Sequence, residues 1–341
     1  MNPWFQPVLD LNGKSVLVTG GTGSFGAHFV GTVVERYHPR KLIVFSRDEL
    51  KQYDMQQSYG MDRYPFMRYF IGDVRDRDRL EMAMRDVDIV VHAAAMKQIP
   101  AAEYNPFECI QTNVHGAENV VRAALRAKVG HVIALSSDKA VSPINLYGAS
   151  KLAADKILVA ANHISGDGGT RYAVVRYGNV LGSRGSVVPL YRRLKEDGCL
   201  SLPVTDERMT RFWITLAQGV DFVLSSLALM TGGEIFVPKI PSMSIVDLCR
   251  AVAPEMATHV VGIRPGEKLH EVMITEDDAR TTLELADRYV IAPPKPHPKF
   301  DPEAYARLGA TAVGEAFRYA SNTNEAWLSG EDLHALLAAA G

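Results

Sequence analysis

Apolar and β-branched residues gather in short runs along the first half of the chain: SVLVT (15–19), KLIVF (41–45), MRYFI (67–71), DIVVH (88–92), HVIALS (131–136) and RYAVVR (171–176). Runs this continuous are what strands look like when both faces of a sheet are covered. The segments between them are long enough for crossover helices, so the pattern predicts a doubly wound α/β domain built on a parallel sheet. The second half changes character. A helix is predicted around Val188–Asp197, a strand near Thr210–Ile214 and a helix near Leu216–Leu229, followed by GEIFVP, a short helix, HVVGIRP and RYVIAPP. This mixed order suits a smaller lobe. The chain divides into a large domain over residues 1–185, rejoined by about 210–240, and a lobe over 186–209 and 241–341. The Pro-rich stretch Pro293–Pro298 sets off a C-terminal tail.

Composition narrows the picture without naming a chemistry. A chain of 341 residues can bury a substantial core. With 37 basic and 39 acidic residues it offers no electrostatic case for nucleic acid. Cys109, Cys199 and Cys249 are widely spaced, which argues against both a disulfide framework and a zinc cluster and suits a reducing cytoplasm. No metal site is expected. The N-terminus MNPWFQPVLDLNGK has no basic segment followed by an apolar run, and no stretch approaches the ~20 apolar residues of a membrane span, so neither secretion nor membrane insertion is expected.

The first strand runs into Thr19-Gly20-Gly21-Thr22-Gly23-Ser24-Phe25-Gly26, with glycines at a G-x-x-G-x-x-G spacing between a predicted strand and a predicted helix. Glycines here allow a tight turn and close backbone approach to a pyrophosphate, while the helix N-terminus offers N–H groups. The expected fold is therefore a Rossmann-type doubly wound parallel sheet with a smaller C-terminal substrate-binding lobe. At the end of the second strand, where an acidic residue would favour NAD, the chain reads Ser46-Arg47-Asp48-Glu49-Leu50-Lys51. Serine followed by arginine, with Lys51 one helical turn on, suits a 2′-phosphate and so NADP. The competing reading makes Arg47 and Lys51 a solvated helix start capped by Asp48. Asp73-Val74 after the third strand lies where adenine would be held, and Ala93-Ala94-Ala95 after the fourth lets a cofactor pass closely.

After the fifth strand comes Ser136-Ser137-Asp138-Lys139, and eight residues past Lys139 stands Tyr147-Gly148-Ala149-Ser150-Lys151. The i,i+4 spacing puts a phenol and an ammonium on one helix face. Lys151, with a positively charged nicotinamide, would lower the phenol pKa so that Tyr147 takes a proton from a substrate alcohol.

Together these motifs resemble the extended short-chain dehydrogenases, and among them the inverting UDP-N-acetylglucosamine 4,6-dehydratases that begin pseudaminic acid biosynthesis. The resemblance extends through TGGTGSFG, SRDELKQ, FIGDVRD, HAAAMKQ, AEYNP, NLYGASK, VVRYGNVLGSRGSVVP, MTRFWIT, GGEIFVPKIPSM and IRPGEKLHEVMI. It implies that the phenol of Tyr147 accepts the 4-hydroxyl proton while C4 passes hydride to NADP. Lys139 then removes the C5 proton and Asp138 helps water leave from C6, after which hydride returns to C6. In retaining relatives a glutamate occupies the position of Lys139, so the lysine implies inversion at C5. As a base Lys139 needs a lowered pKa, for which Lys97 and Lys151 are the expected neighbours.

The resemblance also brings Lys97 to the sugar side of the site and Asn179 near the diphosphate. Arg264 and Arg208 become candidates for the UDP phosphates, because guanidinium forks match phosphate oxygens. Glu267 is a candidate for the uridine ribose, and Val187 and Thr205 for the uracil pocket. A homo-oligomer, dimer or hexamer, is implied as well. Other readings remain open at this point: a related dehydratase of fucosamine-type pathways, a nucleotide-sugar 4-epimerase, which needs no Asp-Lys pair, and a redox-sensing binding protein without catalysis.

Overall fold

In a computed structural model, which describes residues 7–183, 186–294 and 297–339, the six predicted runs become parallel strands. They are β1 (Ser15–Thr19), β2 (Lys41–Ser46), β3 (Met67–Ile71), β4 (Ile89–His92), β5 (His131–Ser137) and β6 (Arg171–Tyr177). Every residue of β1 and β4 is buried, as strands covered by helices on both faces require. Their spatial order is 3-2-1-4-5-6, with Val16 of β1 registered against Leu42 on one side and Ile89 on the other. The connection direction therefore reverses between β1 and β4, opening a crevice at their C-terminal ends where ligands of such sheets bind.

The large sheet has ten strands among the described residues, and the outer ones come from unexpected parts of the chain. Ile235–Pro238 pairs parallel to β6. Beyond it Arg288–Ile291, Thr282–Glu284 and Thr311–Ala312 add on antiparallel. Assigning all of 241–341 to the lobe therefore does not hold. Arg288–Ile291 is buried throughout, paired between Ile235–Pro238 and Thr282–Glu284, with Tyr289 packed against Phe317 and Tyr319. Arg288 itself is fully buried, donating to the Ser225 hydroxyl at 2.6 Å and to Asp287 at 2.7 Å. Thr210–Ile214, placed in the large domain, pairs with Ser242–Ser244 and with Asn179–Val180 in a small sheet; its Phe212 and Ile214 join the large core with the following helix Leu216–Leu229, while its Trp213 joins the core of the lobe. The expected domain break at residue 185 and part of Pro293–Pro298 fall outside the described residues.

The lobe has its own core of Leu181, Val188, Tyr191, Leu202, Val204, Met209, Trp213, Met243, Leu248 and Leu333. Its C-terminal helix, Gly330–Ala339, contributes Leu333, so the tail is part of the lobe. Among the described residues no helix is long and apolar enough to cross a membrane.

Candidate active site

The turn after β1 feeds the helix Ser24–Arg36, whose N-cap Gly23 has no side chain to occupy the helix end. Gly20 has φ +65°, and a Cβ there would stand 2.9 Å from the Ala94 backbone; one on Gly26 would stand 2.5 Å from the Gly20 carbonyl. Glycine is thus required for the strand, the helix and the loop after β4 to come together. The resulting cavity of about 380 Å³ is lined by Gly20, Thr22, Gly23, Ser24, Ser46, Arg47, Lys51, Asp73, Val74 and Ala93, which gathers most of the expected cofactor residues. The others, Phe25, Gly26, Ser136, Tyr147 and Lys151, line an adjoining cavity of about 340 Å³ that shares Gly20, Gly23, Ser24 and Ala93. A backbone cradle at a helix N-terminus continued past the Tyr-Lys pair fits a nicotinamide dinucleotide.

At the far end Thr22 and Ser46 share a hydroxyl hydrogen bond of 2.7 Å. Asp48 caps the helix Glu49–Ser58, accepting from the Lys51 amide at 3.0 Å, and also pairs with the Lys51 ammonium. Arg47 Nη1 lies 3.5 Å from Asp73 Oδ2. Burial pushes the Asp73 carboxyl up, but Arg75 and Arg47 outweigh it and hold the carboxyl below the usual carboxylate range. The capping role weighed for Asp48 is thus real, and it sits beside a cationic rim of Arg47 and Lys51 on the same cavity.

Asn145 caps the helix Leu146–Ile164, accepting from Gly148 N at 2.7 Å, while its amide donates to the Gly266 carbonyl at 2.7 Å. A Cβ on Gly148 would collide with the Lys139 carbonyl, so glycine lets the helix start press against the turn Asp138–Ala140. That packing brings Tyr147, Ser137, Asp138 and Lys139 together. Asp138 is fully buried; its Oδ1 accepts from the Ser137 hydroxyl at 2.7 Å and from Lys139 Nζ at 3.0 Å, and its Oδ2 has no partner. Burial pushes the Asp138 carboxyl up, yet Lys139, Ser137 and Arg211 outweigh it and leave it below the usual range. Lys151, fully inside the helix packing, donates to the Leu135 carbonyl. Asn113, in a π-helical turn at Gln111–His115, ties this helix to the loop after β4 through Ser150 Oγ at 2.9 Å and the Met96 carbonyl at 2.9 Å.

Two electrostatic expectations change. Burial pushes the Tyr147 phenol up to about 12, and the groups that oppose this are Lys139 and the Ser137 hydroxyl, not Lys151. Lys139 in turn sits against two carboxylates. Its Nζ lies 3.0 Å from Asp138, 3.3 Å from Asn179 Oδ1 and 3.3 Å from Glu271. Burial works against the ammonium, but the two carboxylates prevail and raise its pKa above the ordinary lysine value. The resting pair is therefore carboxylate and ammonium.

A third cavity, of about 350 Å³, opens toward the lobe and is lined by Lys97, Lys139, Asn179, Val187, Thr205, Arg264 and Glu267, together with the unforeseen Arg211, Lys268 and Glu271. Lys97 borders all three cavities, where burial lowers its pKa. Arg208 does not line the cavity; it is exposed and forms a two-pronged pair with Asp206 at 3.0 and 2.8 Å. Arg211 takes the inward place because it sits at the head of the buried strand Thr210–Ile214, and its guanidinium donates to the carbonyls of Thr210, Leu269 and Lys268. It thereby staples the segment carrying Arg264, Glu267, Lys268 and Glu271 to that strand. The signal was present in the sequence: an arginine opening an apolar strand must find partners if buried.

The pattern of the family described as polysaccharide biosynthesis protein matches residues 16–293. Over 325 residues, 94% of this chain and 96% of the relative, the chain is 54% identical to UDP-N-acetylglucosamine 4,6-dehydratase (inverting) of Campylobacter jejuni. It is 41% identical to UDP-glucose 4-epimerase of Rickettsia akari over 82% of each chain. The X-ray structure of Pen from Bacillus thuringiensis is similar with a TM-score of 0.87 and 36% identity, covering 97% of this chain and 99% of that one. With the glycine cradle, the Tyr147–Lys151 helix and the Asp138–Lys139 pair in one crevice, the chain belongs to the polysaccharide biosynthesis protein family, in the group of the inverting UDP-N-acetylglucosamine 4,6-dehydratases.

Proposed function

We propose that this protein dehydrates UDP-N-acetylglucosamine to UDP-2-acetamido-2,6-dideoxy-β-L-arabino-hexos-4-ulose, with inversion at C5, as a first step of pseudaminic acid biosynthesis in the cytoplasm. The observation that carries the reading is the contact between Asp138 and Lys139 beside Tyr147, at the junction of the dinucleotide crevice and the lobe cavity. When bound, NADP supplies the store that takes hydride from C4 and gives it back to C6. Tyr147 accepts the 4-hydroxyl proton, and the resulting ketone acidifies C5–H. A proton passing from Lys139 to Asp138 across their 3.0 Å contact turns the resting pair into amine and carboxylic acid. The amine then removes the C5 proton while Asp138 protonates the departing 6-hydroxyl, which returns the pair to its resting charges. A second proton delivered to the opposite face of C5 inverts the centre. Over the cycle the 4-hydroxyl proton leaves with water, and no net redox change remains. Arg264 and Arg211 supply the cationic side of the cavity for the diphosphate, with Glu267 toward the ribose and Val187 and Thr205 toward the base.

Incubation of the purified protein with UDP-N-acetylglucosamine in deuterated water, without added cofactor, tests this by proton NMR. A new C6 methyl, deuterium at C5 and the couplings of the inverted sugar are expected. A methyl with C5 retained would overturn the role of Lys139. No methyl would favour the 4-epimerase reading, to which the Rickettsia akari relative lends weight. Homo-oligomerisation belongs to the same reading and is checked by light scattering.

The choice of NADP rests on Arg47 and Lys51 at the cavity rim. Arg47→Ala is expected to weaken NADP by about tenfold while leaving NAD within about twofold, since a charge-assisted contact is worth a few kcal/mol at most. Titration of the apoprotein with each dinucleotide measures this, and equal weakening of both would argue against 2′-phosphate recognition.

A further inference from the structure

Glu271 opens the buried strand Val272–Ile274 and lines the lobe cavity, yet the steps above give it no part. It is 2% exposed. Its Oε1 lies 3.3 Å from Lys139 Nζ and 3.7 Å from Arg211 Nε; its Oε2 lies 3.9 Å from Lys268 Nζ and has no hydrogen-bond partner. Taking a carboxylate out of water is costly unless it is paired. Here the pairing falls on the lysine assigned to C5.

The arrangement around Lys139 has a stoichiometry. An ammonium carries three N–H donors and no acceptor. Three acceptors from separate segments surround the nitrogen: Asp138 Oδ1 after β5, Asn179 Oδ1 after β6, and Glu271 Oε1 from the lobe side. Asp138 and Asn179 accept hydrogen bonds from it and Glu271 pairs with its charge, so a neutral amine would leave two carboxylates in contact with an uncharged nitrogen. We propose that Glu271 is a positioning residue for the dehydration: with Asp138 and Asn179 it holds Lys139 as an ammonium at rest and fixes where its nitrogen stands, so that proton traffic at C5 runs through one located atom. This rests on the dehydratase reading and adds to it the group that sets the charge and place of Lys139.

The charged and titratable groups facing Lys139 are Asp138, Glu271, Arg211, Lys268 and Tyr147. Burial and Arg211 favour loss of the lysine proton, whereas Asp138 and Glu271 favour its retention. Deleting the Glu271 charge therefore lowers the proton affinity of Lys139. Because the pair works with one proton shared between Lys139 and Asp138, loss of that proton removes the acid for the 6-hydroxyl, and the fall of kcat at high pH that reports ionisation of Lys139 must then move to lower pH.

The test compares wild type, Glu271→Gln and Glu271→Asp as purified holoproteins with UDP-N-acetylglucosamine, measuring kcat and KM against pH. Glu271→Gln is expected to lower maximal kcat by about tenfold through a misplaced nitrogen, to shift the falling limb down by about one pH unit, and to leave KM within about twofold. Glu271→Asp keeps the charge and should keep the wild-type limb, with an intermediate kcat. Unchanged kcat and limb in Glu271→Gln would overturn the proposal; so would a raised KM with the limb in place, which would make Glu271 a substrate contact instead. If Glu271→Gln loses its cofactor or its thermal transition, the aspartate variant decides: a reduced kcat on an unmoved limb supports the role, and any other result overturns it. Wild type run in parallel must form the C6 methyl. Its failure would overturn the dehydratase reading itself, whereas turnover by wild type with an unaltered Glu271→Gln removes only the role of Glu271.

Discussion

Lys139→Met is expected to abolish formation of the C6 methyl, lowering dehydration by about 10³-fold or more, while oxidation at C4 persists. The split follows from the separation of tasks in the site. In the proposed mechanism Tyr147 acts at the 4-hydroxyl, and only the later removal of the C5 proton requires the lysine. Two secondary effects have definite signs. Lys139 is the main cation holding the Asp138 carboxyl low against burial, so in the variant that carboxyl ionises at higher pH. Lys139 is also the first group opposing the upward shift of Tyr147, so the pH limb for C4 oxidation moves up as well. Stopped-flow absorbance of the cofactor, with NMR of the sugar, separates the two half-reactions. Full dehydration by Lys139→Met would remove the base assignment.

Tyr147→Phe stops the reaction one step earlier. The expected loss is about 10³-fold in C4 oxidation, with KM changed little, because the hydroxyl is needed for proton transfer and not for binding. In the structure without ligands the phenol is pushed up to about 12 by burial, so at neutral pH little of it is the phenolate that accepts a proton. Activity of the wild type in C4 oxidation should rise with pH toward ionisation of this group. A bound positive nicotinamide brings that limb down, and Tyr147→Phe should abolish it. Persistence of the limb in the phenylalanine variant would assign it to another group. Together the two substitutions order the steps: Tyr147→Phe shows neither cofactor reduction nor methyl formation, and Lys139→Met shows the first without the second.

What the chain determined by itself is local. Continuous apolar runs specified β1 to β6 and their parallel direction, most plainly in β1 and β4, because a strand covered on both faces leaves no alternation to misread. The glycines at 20, 23 and 26 specified the cradle through backbone sterics, and Tyr147 and Lys151 were legible because i,i+4 spacing is a property of one helix. Asp138 and Lys139 were legible as adjacent residues at a strand end.

The tertiary structure decided everything that depends on partners distant in sequence. Thr282–Glu284 and Arg288–Ile291 close the edge of the large sheet, a pairing chosen by the buried surface beside Ile235–Pro238 and not by any signal within those short strands. Arg211 replaces Arg208 at the cavity because the two differ in which strand or turn fixes their direction, and the exposed turn lets Arg208 settle on Asp206. The charge state of Lys139 was beyond the sequence for the same reason. Its pKa depends on which groups fold to within a few ångströms of its nitrogen, and these are Asp138, Asn179 and Glu271, brought from three segments by packing of the lobe against the sheet.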